Sequence, residues 1–136
     1  MSEAKVNSHG VNTKIKAHIL SDDEMRKIGF HGKYYEGTEH EENLLYWWFT
    51  KGIIFPKDKR YRNIEFDFDV KIPKDGSDIR IDLLDMDFCQ PYDYQRILSK
   101  NPKHPIATIV NEQVEKWMKY LQDNGVLSGR IEGEYI

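Results

Sequence analysis

The sequence contains a single cysteine, Cys89, among its 136 residues. One cysteine excludes a disulfide within the chain and a zinc site built from several thiolates, so a reducing compartment is expected. No apolar run approaches the ~18–20 residues that a membrane span requires. The segment MSEAKVNSHG lacks the apolar stretch that a secretory signal contains. We therefore expect a cytoplasmic protein with no membrane partner.

The chain also lacks an excess of basic residues. Twenty Lys and Arg residues stand against 23 Asp and Glu residues, which gives a formal net charge of −3. Broad binding to a phosphate backbone needs a basic face, so nucleic acid is not an expected partner. The net charge is also far from the dense negative surface that a DNA mimic would need.

Motifs that mark common active sites are missing. The five histidines have no HxH or HxxxH spacing and are scattered along the chain: His9, His18, His31, His40 and His104. The sequence has no glycine-rich phosphate loop, and no serine or cysteine lies in a nucleophile-elbow motif. We therefore expect no cofactor, and the residue types favour a binding protein over an enzyme.

The composition is that of a globular protein. Hydrophobic residues make up 39% of the chain and charged residues 32%, which is too apolar for a disordered segment. The length suits one domain. Residues 1–12 are polar and predict a flexible tail, so residues 13–136 are expected to form a single domain.

Two segments carry helix signals. Ser21 and Glu24 have the spacing of a capping box, and Gly29 suits the position that ends a helix, so a short N-terminal helix is predicted. Residues 104–125 are amphipathic and predict a long C-terminal helix. Seven apolar residues fall on one stripe of that helix: Ile106, Ile109, Val110, Val114, Trp117, Met118 and Leu121.

Residues 63–88 alternate between apolar and polar residues, which indicates two strands joined by the turn KDGS. With a four-residue loop, Val70 faces Ile81 and Phe68 faces Leu83. Both pairs are apolar and lie on one face, so this register is self-consistent. The alternation changes phase after Leu83, which predicts a β-bulge at Leu83–Leu84.

Residues 44–50 leave two interpretations open. The aromatic run through this segment favours a strand, whereas Thr38 and Glu41 have the spacing of a capping box for a helix over residues 39–50. We favour the strand.

Residues 13–20 alternate and predict a further strand, and residues 31–43 predict a loop with two glycines. The fold expected from all these elements is α+β, with an antiparallel β-sheet of three to four strands. The long C-terminal helix packs on one face of that sheet, and the short N-terminal helix lies at an edge.

Three aspartates would share the outward face of the predicted hairpin: Asp67, Asp69 and Asp82. Asp69 and Asp82 would be opposite each other and repel, and Mg²⁺ or Mn²⁺ would relieve that repulsion. This arrangement supports one alternative function, a metal-dependent nuclease or phosphoesterase. Alternating charges are also what a one-sided antiparallel sheet shows to water, and Lys71 and Arg80 lie close enough to neutralise them. We favour the solvated sheet face.

The aromatic residues give the leading functional prediction. Trp47 and Trp48 are adjacent in a predicted strand, so their side chains point to opposite faces and one is free to lie outside the core. Tyr92 and Tyr94 lie on a segment bounded by a proline. Exposed tryptophan and tyrosine side chains are typical of protein-binding surfaces. We therefore predict a protein-binding surface around these four residues.

The segment IRIDLLDMDFCQPYDYQ, together with AHILSDDEMRKIGF and the ending GEYI, resembles small uncharacterised proteins of Gram-positive phages and prophages. The resemblance covers residues 13–136, and QPYDYQ (residues 90–95) is its most specific part. It brings no established activity or catalytic residues. It implies an accessory protein that works inside a bacterial host. Together with the aromatic residues, our first hypothesis is a non-enzymatic protein that binds a host or phage protein. A self-associating structural protein is the remaining alternative.

Overall fold

The computed structural model describes residues 3–6, 13–37, 40–76 and 79–131. The strands are β1 (Glu3–Val6), β2 (Thr13–Ala17), β3 (His31–Tyr34), β4 (Leu44–Gly52), β5 (Phe66–Pro73), β6 (Arg80–Asp85), β7 (Gln90–Pro91) and β8 (Leu127–Ile131). The helices are α1 (Asp22–Ile28), α2 (Tyr94–Lys100) and α3 (Pro105–Asp123). Single 3₁₀ turns occupy Tyr35–Gly37, Glu41–Asn43 and Lys59–Tyr61.

The strands pair in the order β3-β4-β5-β6-β1-β2-β8, and the short strand β7 also pairs with β6. Strand β1 is parallel to β6 and antiparallel to β2, and the other pairs are antiparallel. The predicted α+β class is confirmed. The described residues form eight strands, so the predicted count of three to four is too low.

The register of the β5–β6 hairpin is the one that the alternation predicts. Val70 pairs with Ile81 and Phe68 with Leu83, and all four side chains are buried. The pairing continues without a shift as far as Asp85, so the predicted β-bulge at Leu83–Leu84 is wrong. Strand β6 ends at Asp85. The apolar residues after it, Met86 and Phe88, are exposed rather than buried in the core.

Strand β4 resolves the ambiguous segment 44–50 in favour of the strand. The predicted loop over residues 31–43 is wrong for β3, which pairs along β4 with His31 opposite Trp48. Gly29 ends α1 with a positive φ of 122°, and the chain then runs directly alongside β4. Strand β4 gains a backbone partner on that side, which a loop would not supply.

The predicted caps of α1 are confirmed. Ser21 Oγ accepts a hydrogen bond from the backbone N–H of Glu24 and donates one to Glu24 Oε1 at 2.8 Å. After Gly29, the N–H of Phe30 donates to the carbonyl oxygen of Met25 at 3.0 Å. Met25 and Phe30 are both buried, so this closing turn directs an apolar contact into the core.

Helix α3 packs against one face of the sheet at strand β4. Its buried residues are Ala107, Val110, Val114, Met118 and Leu121. The Trp117 ring lies 5.9 Å from the Phe49 ring, and the Tyr120 hydroxyl donates to the carbonyl oxygen of Ile28. The predicted amphipathic helix is therefore confirmed. The chain continues after it into β8, which pairs with β2.

Four residues of the predicted tail, Glu3–Val6, form strand β1 between β2 and β6. This strand links the hairpin strands to β2 and β8, a role that the polar composition of residues 1–12 did not indicate. The other residues of that predicted tail lie outside the described residues. Within the described part of the chain, no helix has the length and apolar character needed to cross a membrane.

Candidate functional site

Neighbouring residues on the central strands face opposite sides of the sheet. Trp47 and Phe49 lie on the helix-covered side, where they pair with buried residues of β5. The intervening residues face the other way. We call this side the outer face, and its described residues include Lys33, Tyr46, Trp48, Thr50, Asp67, Asp69, Lys71, Arg80 and Asp82.

Two cation–aromatic pairs lie at one end of the outer face. Lys33 Nζ is 4.6 Å from the centroid of the Trp48 ring, and Lys71 Nζ is 5.9 Å from that of Tyr46. Both rings are half-buried, while the Lys33 side chain is exposed. Such pairs contribute about 0.5–1 kcal/mol at exposed sites. They hold flat rings and positive charges side by side on the surface.

Asp69 and Asp82 lie opposite each other in the middle of the outer face. They are only 7% and 4% exposed, so the predicted solvated face is wrong for these two carboxylates. Both stand on strands that are paired along both edges, where neighbouring side chains shield them more than at a sheet edge. Arg80 Nη2 lies 3.7 Å from Asp82 Oδ1.

Three buried polar atoms of this face accept or donate no hydrogen bond within the described residues: Asp69 Oδ1, Asp82 Oδ1 and Trp48 Nε1. Buried polar groups are normally hydrogen-bonded. The outer face therefore contains one buried donor atom and two buried acceptor atoms that have no hydrogen-bond partner among the described residues.

Asp67 lies nearer the other end of the strand, opposite Leu84. Burial raises the pKa of the Asp67 carboxyl, and the nearby charges of Asp69 and Glu65 raise it further. Among the described residues, no three His, Cys, Asp or Glu side chains are grouped so as to hold a metal ion. The predicted alternative of Mg²⁺ or Mn²⁺ on Asp67, Asp69 and Asp82 gains no support from this geometry.

The four aromatic residues predicted to bind a partner do not form one surface. Trp47 and Tyr94 are each 1% exposed and belong to the core, so their assignment to a binding surface is wrong. Trp48 lies on the outer face. Tyr92 lies on the opposite side of the sheet, where its ring stacks on that of Phe66 with centroids 4.5 Å apart.

Burial also affects the chemistry of Tyr92. It raises the pKa of the Tyr92 hydroxyl to about 12, and the negative charge of Asp85 adds to the effect. A tyrosine with such a pKa stays neutral at physiological pH. Tyr92 thus acts as a packing residue with a neutral hydroxyl.

The structure adds Lys33 and Tyr46 to the outer face, and sequence reasoning missed both as site residues. Tyr46 shares the strand side of Trp48, a relationship that strand periodicity alone shows. Lys33 comes from β3, which the sequence did not indicate as a strand. Its position beside Trp48 depends on the β3–β4 pairing.

Comparisons with known proteins leave the site to be interpreted from its own geometry. No protein-family model matches the chain, and neither a curated protein nor a solved structure matches it.

Proposed function

We propose that the protein is a phage-type accessory protein that binds another protein through its outer face and catalyses no reaction. The supporting observation is the pairing of half-buried rings with cations at one end of that face, around Trp48 and Tyr46. Aromatic anchors surrounded by polar groups are the side chains on which protein interfaces concentrate their binding energy.

The charges of this face favour an acidic partner segment. Lys33, Lys71 and Arg80 lie at the aromatic end, while Asp67 lies toward the other end. A segment with acidic side chains and one apolar side chain would pair with the cations and cover the Trp48 ring. Complementary charge of this kind fixes the orientation of a partner and speeds its association.

Nucleic acid fits this face less well than an acidic protein. The whole chain carries a net charge of −3, and the centre of the face holds Asp69 and Asp82. A phosphate backbone laid along the strands would pass over these carboxylates. Repulsion at that point favours a protein with a short acidic segment over a continuous polyanion.

The resemblance to phage and prophage proteins is the basis for proposing a host or phage protein as the partner. Within QPYDYQ, Asp93 caps α2 by accepting a hydrogen bond from the N–H of Arg96 at 3.2 Å, and Tyr94 is buried. The motif therefore has structural roles. We place the binding residues on the outer face rather than in this motif.

Site-specific crosslinking tests this proposal. A photoreactive phenylalanine analogue would replace Tyr46 in the full chain, and a matched chain would carry it at Phe88, which is 72% exposed beyond the opposite end of the hairpin. In phage-infected host cells, we expect one protein to crosslink through position 46 and not through position 88. Equal crosslinking from both positions would overturn the proposal, because capture would then not depend on the outer face.

Two further readouts separate the competing functions. Binding of a single-stranded oligonucleotide that is abolished by Lys71→Glu would overturn the proposal in favour of a nucleic-acid-binding protein. A dimeric mass in solution that the same variant converts to a monomer would overturn it in favour of a self-associating protein. A monomer that binds no oligonucleotide and crosslinks through position 46 supports it.

A further inference from the structure

Helices α2 and α3 enclose a cleft on the side of the molecule that the outer face does not reach. We call it the interhelical cleft, and its volume is about 270 Å³. Buried Tyr94 and Met118 contribute to its lining. Its polar lining residues are Gln95, Asn111, Glu115, Lys119 and Gln122.

Gln95 brings an unsatisfied acceptor to this cleft. Its Oε1 atom is buried, and none of the described residues donates a hydrogen bond to it. Since buried side-chain oxygens normally have a donor, this atom marks a position for a donor that comes from outside the described residues.

A second acceptor and a carboxylate lie one helical turn apart on α3. Asn111 Nδ2 donates to Glu115 Oε1 at 3.5 Å. This bond uses the amide nitrogen of Asn111 and leaves its Oδ1 atom as an acceptor. The second oxygen of the Glu115 carboxylate is an acceptor as well, and it carries negative charge.

The lysine beside these groups has its own counterion. Lys119 Nζ lies 2.8 Å from Asp123 Oδ2, one turn further along α3. Its charge is therefore compensated on the helix surface. Glu115 remains as the charge that a ligand in the cleft would meet.

From this arrangement we infer that the interhelical cleft binds a guanidinium group on a short alkyl chain. A guanidinium carries five N–H donors in one plane, and so it matches several acceptors better than an ammonium group does. Met118 and Tyr94 provide apolar and aromatic surface for the alkyl chain. The volume is near the lower end for small-molecule sites, which limits the occupant to about one side chain.

The inference is independent of the outer face, and the guanidinium has two possible sources. It could belong to a small molecule or to an arginine of a protein. Titrating the full isotope-labelled chain with propylguanidine, and separately with acetyl-Gly-Arg-Gly-amide, distinguishes them by amide NMR. Tighter binding of the peptide indicates a protein source, and tighter binding of propylguanidine indicates a small molecule.

We expect chemical-shift changes concentrated in α2 and in α3 from Asn111 to Gln122, with propylurea, the neutral analogue, producing none. Glu115→Gln should weaken binding about tenfold, as loss of a charge-assisted hydrogen bond does. Glu112→Gln is the matched control, because Glu112 is exposed on the same helix and does not line the cleft. The absence of shifts in both helices, equal binding of propylurea, or equal losses in the two variants would overturn the inference.

Discussion

Asp69 and Asp82 face each other across β5 and β6, and both carboxylates are buried. Opposed like charges on neighbouring strands are destabilising. Arg80 lies beside Asp82 and offsets part of this repulsion. No cation of the described residues forms an ion pair with Asp69. The outer face therefore keeps, at its centre, a charge pair that works against folding.

Replacing Asp69 by asparagine should stabilise the protein. The substitution keeps the shape and removes one of the two repelling charges, so we expect the free energy of unfolding to rise by about 0.5–1 kcal/mol. Urea denaturation at neutral pH measures this change. Asp87→Asn, in the exposed turn after β6, is the control and should change stability by less than about 0.5 kcal/mol. A loss of stability in Asp69→Asn would show instead that the carboxylate has a favourable partner.

The stability contribution of Asp67 should depend on pH in a defined direction. Burial and neighbouring acids raise the pKa of this carboxyl above its ordinary value of 3.8. The folded state then binds the proton more tightly than the unfolded state does. Stability from this group is fully present below the ordinary value and is lost as the pH rises through the raised pKa.

Asp67→Asn tests this direction, because the variant has no carboxyl to titrate. It should be more stable than the original chain at neutral pH, and the difference should disappear in acid. Urea denaturation of both chains over a range of pH measures it. A difference that grows as the pH falls would contradict the raised pKa.

Tyr92 should ionise at a higher pH than a tyrosine with the ordinary pKa of 10.0. The pKa of its hydroxyl is raised to about 12, mainly by burial. Its contribution to stability should therefore be complete below the ordinary value of 10.0 and be lost as the pH approaches 12. The difference in tyrosinate absorbance between the original chain and Tyr92→Phe reports this group alone. A midpoint near 10 in that difference would show that the ring is solvated.

Trp47 and Trp48 should have separate roles although they are adjacent. Trp47 is 1% exposed in the core, so Trp47→Ala should cost about 3–5 kcal/mol of folding free energy. Trp48 is half-buried on the outer face, and Trp48→Ala should cost less. Thermal unfolding of the two variants measures the difference. Equal losses of stability would mean that the Trp48 ring belongs to the core.

Local sequence patterns predicted the parts of the fold that depend on residues close together in the sequence. The register of β5 and β6 follows from a two-residue period and a short turn, which leave little freedom to pair differently. The caps of α1 follow from Ser21, Glu24 and Gly29, whose hydrogen bonds lie within one helix. In these segments, local and long-range preferences agree.

Parts of the fold that depend on distant partners were missed. Strands β1 and β3 contain polar residues, and β3 also contains Gly32. They form because a neighbouring strand offers backbone hydrogen bonds. Alternation showed that Asp69 and Asp82 share a face, but it carries no information about how deeply that face is shielded. The same limit applies to the residues predicted to bind a partner: Trp48 lies half-buried on the outer face, whereas Trp47 and Tyr94 lie in the core.

Lys71 is the cation of the outer face through which we propose that an acidic protein segment binds. The decisive measurement is calorimetric titration of the protein crosslinked through position 46 against the original chain, Lys71→Glu and Lys57→Glu. Lys57 is an exposed lysine in the loop after β4, so its variant makes the same charge change away from the outer face. We predict that Lys71→Glu weakens binding about tenfold or more, while Lys57→Glu changes it less than about twofold. Equal affinities for the two variants would show that the partner does not bind through the charge of Lys71, and would contradict binding at the outer face.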